Sequence, residues 1–213
     1  MTLLVLDGYL LAGADEGVRE LVEDGRDADR RFRLRSATPR STTPSRGASV
    51  IAPSTPGTYA LLFCSRAARI RVGALGEVRL PAGSVVYVGS AFGPGGLAGR
   101  LRHHLRPVAR PRWHLDYLRP ALELRGVWLG EGPRRAEHQW AGWFAGLPAV
   151  SLPHPRFGAS DCRCRSHLFH WRRPPGRRRV EDGLRAGSDA GTLCFLRASQ
   201  LRAWVAAPPI GTG

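Results

Sequence analysis

The chain has no lysine: all 32 of its basic residues are arginine, and against 17 Asp and Glu they leave a net charge of +15. Arginine used so uniformly reads as the mark of a GC-rich genome rather than of a mechanism. Cysteine is scarce as well. Four thiols, Cys64, Cys162, Cys164 and Cys194, in 213 residues exclude the dense disulfide framework of a small secreted domain, so reduced thiols are expected. Long apolar runs are missing. The opening apolar stretch is broken by Asp7, follows no basic residues and falls short of a membrane span, and a cytoplasmic protein is expected. Linear phosphate-loop and dinucleotide fingerprints are absent, and no segment repeats.

The charge that is present is unevenly placed. Residues 1–55 hold eight acidic residues and eight arginines, whereas residues 56–213 hold 24 arginines and nine acidic residues, so the whole excess belongs to the second part. A soluble domain of that sign attracts polyanions, nucleic acid first, and no amphipathic helix favours an acidic membrane surface instead. At 43% hydrophobic and 23% charged the chain can bury a core. Within residues 1–55 an acidic stretch from Asp15 to Asp29 precedes a Ser/Thr/Pro/Arg-rich piece from Arg35 to Pro56. That piece has no apolar periodicity and reads as a linker.

From Gly57 the texture changes. Strands are expected at Thr58–Cys64, Ala68–Gly73, Val85–Gly89 and Leu122–Leu129, and helices at Leu97–Arg106 and about Arg134–Gly146. The expected fold is α+β, a small antiparallel β-sheet flanked by helices over residues 56–171. A flexible extension, 1–55, precedes it, and a basic tail, 172–213, runs from RRPPGRRR into a Gly/Ala-rich end without a fold signal.

Several side chains carry possible chemistry. On a wheel of about 100° per residue, Leu97, Leu101 and Leu105 make an apolar stripe, with Arg100 and His104 together on its border and Arg102 and Arg106 towards solvent. A guanidinium beside an imidazole that titrates near neutrality suits holding a phosphate and relaying a proton; the plainer alternative is a basic helix whose border residues snorkel. In the second helix Trp140, Ala141 and Phe144 fall at i+3, i+4 and i+7 from Glu137 and centre its carboxylate on the buried face. A charge there needs an arginine partner or a cation, and a hard divalent ion such as Mg²⁺ fits. Tyr59 and Tyr87 stand beside glycines in GTY and YVG. A strand tyrosine usually packs, but its phenol acts as acid or base where a cation lowers its pKa. Arg100–Arg112 carries five arginines and Arg163–Arg179 seven, neither with an acid, which suits tracking a phosphate backbone.

These blocks, in this order, resemble the GIY-YIG nuclease superfamily. Gly57-Thr58-Tyr59 stands for its first motif, Tyr87-Val88-Gly89 for its second, Arg100 for the helix arginine, His104 for the histidine four residues on, and Glu137 for the metal-binding glutamate. More closely the chain resembles the Uri-type branch, a family long catalogued as a domain of unknown function, through Gly89-Ser90-Ala91, Trp113-His114-Leu115-Asp116-Tyr117-Leu118 and the segment from Phe157 to Phe169, FGASDCRCRSHLF. The resemblance implies a metal-dependent endonuclease that hydrolyses DNA phosphodiesters, with DNA repair as its setting and Mg²⁺ or Mn²⁺ as its cofactor. It implies Tyr59, Tyr87, Arg100, His104 and Glu137 as catalytic residues, with the ion on Glu137. Tyr59 is the preferred base and Tyr87 the residue that orients it. Ser90, Arg102, Arg106, Arg110, Arg112, His114, Arg163 and Arg165 are the expected contacts to nucleic acid, DNA before RNA. Ser90 stands where many nucleases of the superfamily carry lysine.

The segment Asp161, Cys162, Cys164, His167, His170 also offers zinc ligands, with Cys162, Cys164 and His167 as the set. Its C-x-C spacing is tighter than usual and no second cysteine pair completes four ligands, so a packed turn, with Ser160 and Asp161 bonded to backbone amides, is preferred. Trp113, Tyr117 and Leu118 read mainly as core, beside a possible groove lining by His114 and Asp116. Two rivals to the nuclease follow: a non-catalytic nucleic-acid-binding module of the same fold, which Ser90 favours, and a zinc-stabilised interaction domain.

Overall fold

The computed structural model describes residues 54–206 together with two short strands nearer the start, β1 (Leu4–Leu6) and β2 (Tyr9–Leu11). Residues 1–50 and 51–213 form separate compact units. In the first, β1 and β2 pair antiparallel with Leu4 opposite Leu11. The acidic stretch, nearly all of the expected linker and the last seven residues lie outside the described residues.

The second unit runs through β3 (Gly57–Ser65), β4 (Ala68–Val72), β5 (Gly76–Leu80), β6 (Gly83–Ser90), α1 (Gly96–Leu105), α2 (His114–Leu118), β7 (Leu122–Glu131), α3 (Arg135–Ala145), β8 (Leu168–Trp171), α4 (Arg177–Ala186), β9 (Leu193–Arg197) and α5 (Ala198–Ala206). Five of the strands make one sheet in the order β8-β6-β3-β7-β9, antiparallel at every pairing. The fold is α+β with a small antiparallel sheet flanked by helices, as expected. β3 is apolar along most of its length because it lies between two strands and is covered on both faces. Alternation sends Tyr59, Leu61 and Phe63 to one face and Ala60 and Leu62 to the other. On the second face Ala60, Val86, Val88 and Trp128 pack with Trp140, Ala141 and Phe144 of α3 and Val180 and Leu184 of α4. α1 packs against β3, and its His104 meets Tyr59.

Two expectations are corrected. The strand expected at 68–73 does not join the main sheet; β4 pairs with β5 alone, as a hairpin with Ile70 opposite Val78 and Arg71 opposite Glu77. Its exposed Arg69 and Arg71 would leave a charged stripe on a sheet covered on both faces. Residues 172–206 are not a structureless tail. Val180 and Leu184, one helical turn apart, enter the core from α4, and β9 adds the last strand to the sheet beside β7. A β-carbon at Gly183 would overlap the Trp143 ring, so glycine sets the close approach of α4 to α3. The following turn then fastens α3: Ser188 accepts the Trp140 indole N–H at 2.9 Å, and Asp189 accepts from Arg135 at 2.6 Å and Gln139 at 2.7 Å. No helix among the described residues is long and apolar enough to cross a membrane.

Leu184→Ala therefore removes a side chain that is only 1% exposed and should cost about 2–5 kcal/mol in urea unfolding. A solvated tail would show almost no change.

Candidate active site

Tyr59 and Tyr87 share one face of adjacent strands. Tyr59 lies opposite Gly89 and Tyr87 opposite Leu61, and both are odd-spaced from Ala60 and Val88, which face α3. The Tyr59 ring crosses its cross-strand partner so closely that a β-carbon at Gly89 would overlap its hydroxyl. Glycine in the second motif is thus the space through which Tyr59 reaches α1. There the hydroxyl and His104 Nε2 share a hydrogen bond of 2.9 Å.

His104 is buried, 3% exposed, rather than on the border of the helix stripe. Burial pushes its pKa from 6.5 down to about 3, with His103, Arg119 and Arg100 adding to the effect. It is neutral at pH 7 and does not titrate near neutrality, which corrects the proton-relay expectation. Its Nδ1 is buried without a hydrogen-bond partner among the described residues. An orphaned N–H costs more than an orphaned lone pair, so we assign the proton to Nε2, which then donates to the Tyr59 oxygen. Burial raises the Tyr59 phenol well above its ordinary value; Tyr87 adds to this and Arg100 opposes it. The Tyr87 phenol is raised too, by burial and then by Glu137. Both are protonated at rest.

Arg100 is held by stacking. Its guanidinium carbon lies 4.4 Å from the Trp113 ring centroid, and that of Arg112 lies 5.6 Å from the same ring. Trp113 is half-buried, a platform for two arginines rather than plain core. It is fixed by Asp116, whose carboxylate accepts the Arg112 and Trp113 amides at 2.9 and 3.1 Å and faces His103 Nε2 at 3.1 Å. Burial alone would raise the Asp116 pKa, but these bonds outweigh it and hold the carboxylate below its usual range. Asp116 supports the site from beneath instead of lining it. His114 Nδ1 accepts the Gly158 amide at 3.2 Å.

Glu137, in the first turn of α3, is half-buried. Burial would raise its pKa, but interactions with His167 and Ser90 bring it down, so it is ionised. His167 Nδ1 lies 3.2 Å from Glu137 Oε1 and 3.2 Å from the Val88 carbonyl. Both are acceptors, which places the His167 proton on Nδ1 and leaves Nε2 as a lone pair 3.4 Å from Cys162 Sγ. Cys164 Sγ lies 3.4 Å from His138 Nδ1, and its thiol is pushed up to about 12 by burial and by Cys162 beside it. Two groups of side chains among the described residues are close enough to hold a metal ion: His138, Cys162, Cys164 and His167, and His103, His104 and Asp116. In the second group Asp116 already spends both carboxylate oxygens on His103 and backbone amides, and His104 keeps only its Nδ1 lone pair uncommitted.

A cleft of about 290 Å³ joins Tyr59, Tyr87, Ser90, Arg100, His104, Arg112, Trp113, His114 and Glu137, with Ser160 and Asp161 at its lip. All five expected catalytic residues line it. A larger hollow of about 740 Å³, between Phe63, Arg66, Arg119 and Arg202, contains none of them. The family model with the description Domain of unknown function DUF123 matches residues 58–186, more than half of the chain. The chain belongs to this family. No curated protein and no solved structure matches it. The DUF123 match runs beyond the expected end at residue 171 and takes in α4.

Of the residues expected to touch nucleic acid in this DUF123 chain, Ser90, Arg112 and His114 line the cleft, and Arg102, Arg106, Arg110, Arg163 and Arg165 do not. Arg102 instead stacks on Trp204 at 4.6 Å. Ser160 and Asp161 are exposed cleft residues, not the amide-bonded members of a packed turn. Two contributors escaped the sequence reading. Trp113 looked like core, and His138, beside Glu137, carried no linear signal because its cysteine partners lie far along the chain.

His104 gives the site a pH signature. Above pH 6.5 this residue is uncharged in both folded and unfolded chains. As pH falls from 6.5 towards 3 the unfolded chain takes up a proton that the native site refuses, and stability drops, by at most about 1 kcal/mol per pH unit. His104→Gln should unfold with a correspondingly shallower pH dependence between pH 6.5 and 4; equal slopes would mean that His104 is solvated.

Proposed function

We propose that the chain is a metal-dependent endonuclease of GIY-YIG type that hydrolyses DNA phosphodiester bonds, in the setting of DNA repair. The observation that carries this reading is the convergence of Tyr59, Tyr87, Arg100, His104 and Glu137, drawn from β3, β6, α1 and α3, on one cleft. Glu137 fits a divalent cation: it is ionised, faces the cleft and has Asp161 as a second carboxylate in the lining. Mg²⁺ or Mn²⁺ held there supplies Lewis-acid polarisation of the scissile phosphate.

The remaining work falls to side chains. Arg100, steadied on Trp113, binds a phosphate oxygen with its donor fork. Tyr59, once it has released its own phenolic proton to solvent in the cleft, takes the proton of the attacking water as phenolate. Its negative oxygen is stabilised by the His104 Nε2 proton and the field of Arg100, and Tyr87 orients it. Ser90, Arg112 and His114 meet the flanking backbone, while the arginines outside the cleft steer DNA towards it in a salt-dependent way. A second reading, a binding module without turnover, is favoured by one feature: both phenols are raised by burial, with Ser90 where a lysine would help to lower them.

Purified protein incubated with labelled duplex, flap and single-stranded DNA and with RNA, with Mg²⁺ or Mn²⁺, decides between the two. Cleavage should vanish in EDTA and fall at least about 100-fold in Glu137→Ala, whose salt-sensitive DNA binding persists. Arg100→Ala should slow single-turnover cleavage about 10²–10³-fold. Binding without cleavage on every substrate would establish the module instead.

A further inference from the structure

We propose that His138, Cys162, Cys164 and His167 form a closed, four-ligand zinc site that clips α3 to the segment leading into β8. The inference stands apart from the nuclease reading, since it concerns different ligands and a different metal. The tight C-x-C spacing argued against zinc only while a fourth ligand was missing. The fold supplies it from elsewhere: His138 comes from α3, while Cys162, Cys164 and His167 come from the approach to β8.

The geometry is close to what zinc requires. All four ligand atoms lie within 4.8 Å of one another. In a tetrahedron with Zn–S of about 2.3 Å and Zn–N of about 2.0–2.1 Å, a sulfur and a nitrogen stand about 3.6 Å apart. Two of the four sulfur–nitrogen pairs, Cys162 with His167 and Cys164 with His138, lie at 3.4 Å. Small adjustments complete the polyhedron.

The protonation pattern agrees. His167 donates from Nδ1 to Glu137 and to the Val88 carbonyl, so the nitrogen that faces the thiols is the lone pair. A carboxylate behind a ligating histidine fixes its tautomer and orientation and raises its basicity. Two thiolates with two imidazoles select zinc over Mg²⁺ or Mn²⁺, and four protein ligands leave no open position for chemistry. The site is therefore structural, and its reach is local. It immobilises the first turn of α3, which carries Glu137 next to His138, and it holds His167 against that carboxylate.

Full-length protein purified without chelator should contain about one zinc per chain, measured by elemental analysis. Replacement by Co²⁺ should give thiolate-to-metal charge-transfer bands and the strong visible absorption of tetrahedral coordination. Cys162→Ser with Cys164→Ser should lose both metal and bands. His138→Ala should bind Co²⁺ more weakly with an altered spectrum, whereas Glu137→Gln should retain stoichiometric zinc. Substoichiometric zinc in the wild type with no tetrahedral cobalt spectrum would overturn the site, whether or not the cysteine variant folds. An unchanged cobalt spectrum in His138→Ala would overturn the four-ligand arrangement. Each readout is metal content or a spectrum, so a protein that binds zinc and cuts nothing defeats the nuclease reading alone.

Discussion

The His167 imidazole holds together parts of the molecule that otherwise share little. It is 2% exposed, and a buried imidazole needs partners for both nitrogens. Nδ1 finds the Val88 carbonyl on β6 and the Glu137 carboxylate on α3, and Nε2 finds Cys162. Its main chain is equally committed, donating to Phe157 at 2.7 Å and accepting the Val88 amide at 2.9 Å. One residue thus sets the position of β6 against the loop that ends in β8, and of both against the helix that carries the ionised carboxylate. Without that hydrogen bond Glu137 would be a half-buried charge supported only by Ser90 and the field of His138.

Much of this was legible along the chain because it follows from short periods. Alternation on β3 and β6 puts Tyr59 and Tyr87 on one face, and four-residue spacing puts Arg100 beside His104. The rest depended on contacts that no period encodes. His104 looked like a border residue, but neighbouring rings from Tyr59, Tyr87 and Trp113 close over it. Trp113 resembles core in sequence, and only the fold sets Arg100 on its face. α4 escaped notice because just two of its side chains are buried, among arginines, and what makes room for it is the absent side chain of Gly183 against Trp143. His138 is a neighbour of the cysteines only in space.

The arginine surplus divides in two when placed on the fold. Arg100 and Arg112 stack on one indole inside the cleft and are oriented by it. Arg106, Arg110, Arg163 and Arg165 stand exposed outside it, while Arg102 rests on Trp204 of α5. Charge of the second kind raises local polyanion concentration without regard to position. On the proposed nuclease reading, charge of the first kind, with fixed geometry in the cleft, would discriminate one phosphate from its neighbours.

The strand order has a consequence for synthesis. β3, the first strand of the sheet to leave the ribosome, ends up in the centre, and β9 is the last to arrive. Until Leu193–Arg197 is available, β7 presents an open ladder of backbone donors and acceptors beside Val127, Trp128 and Leu129, a template for pairing with another nascent chain. The C-terminal strand is thus the step that retires an aggregation-prone edge, and the nascent chain is most vulnerable between completion of β7 and emergence of β9.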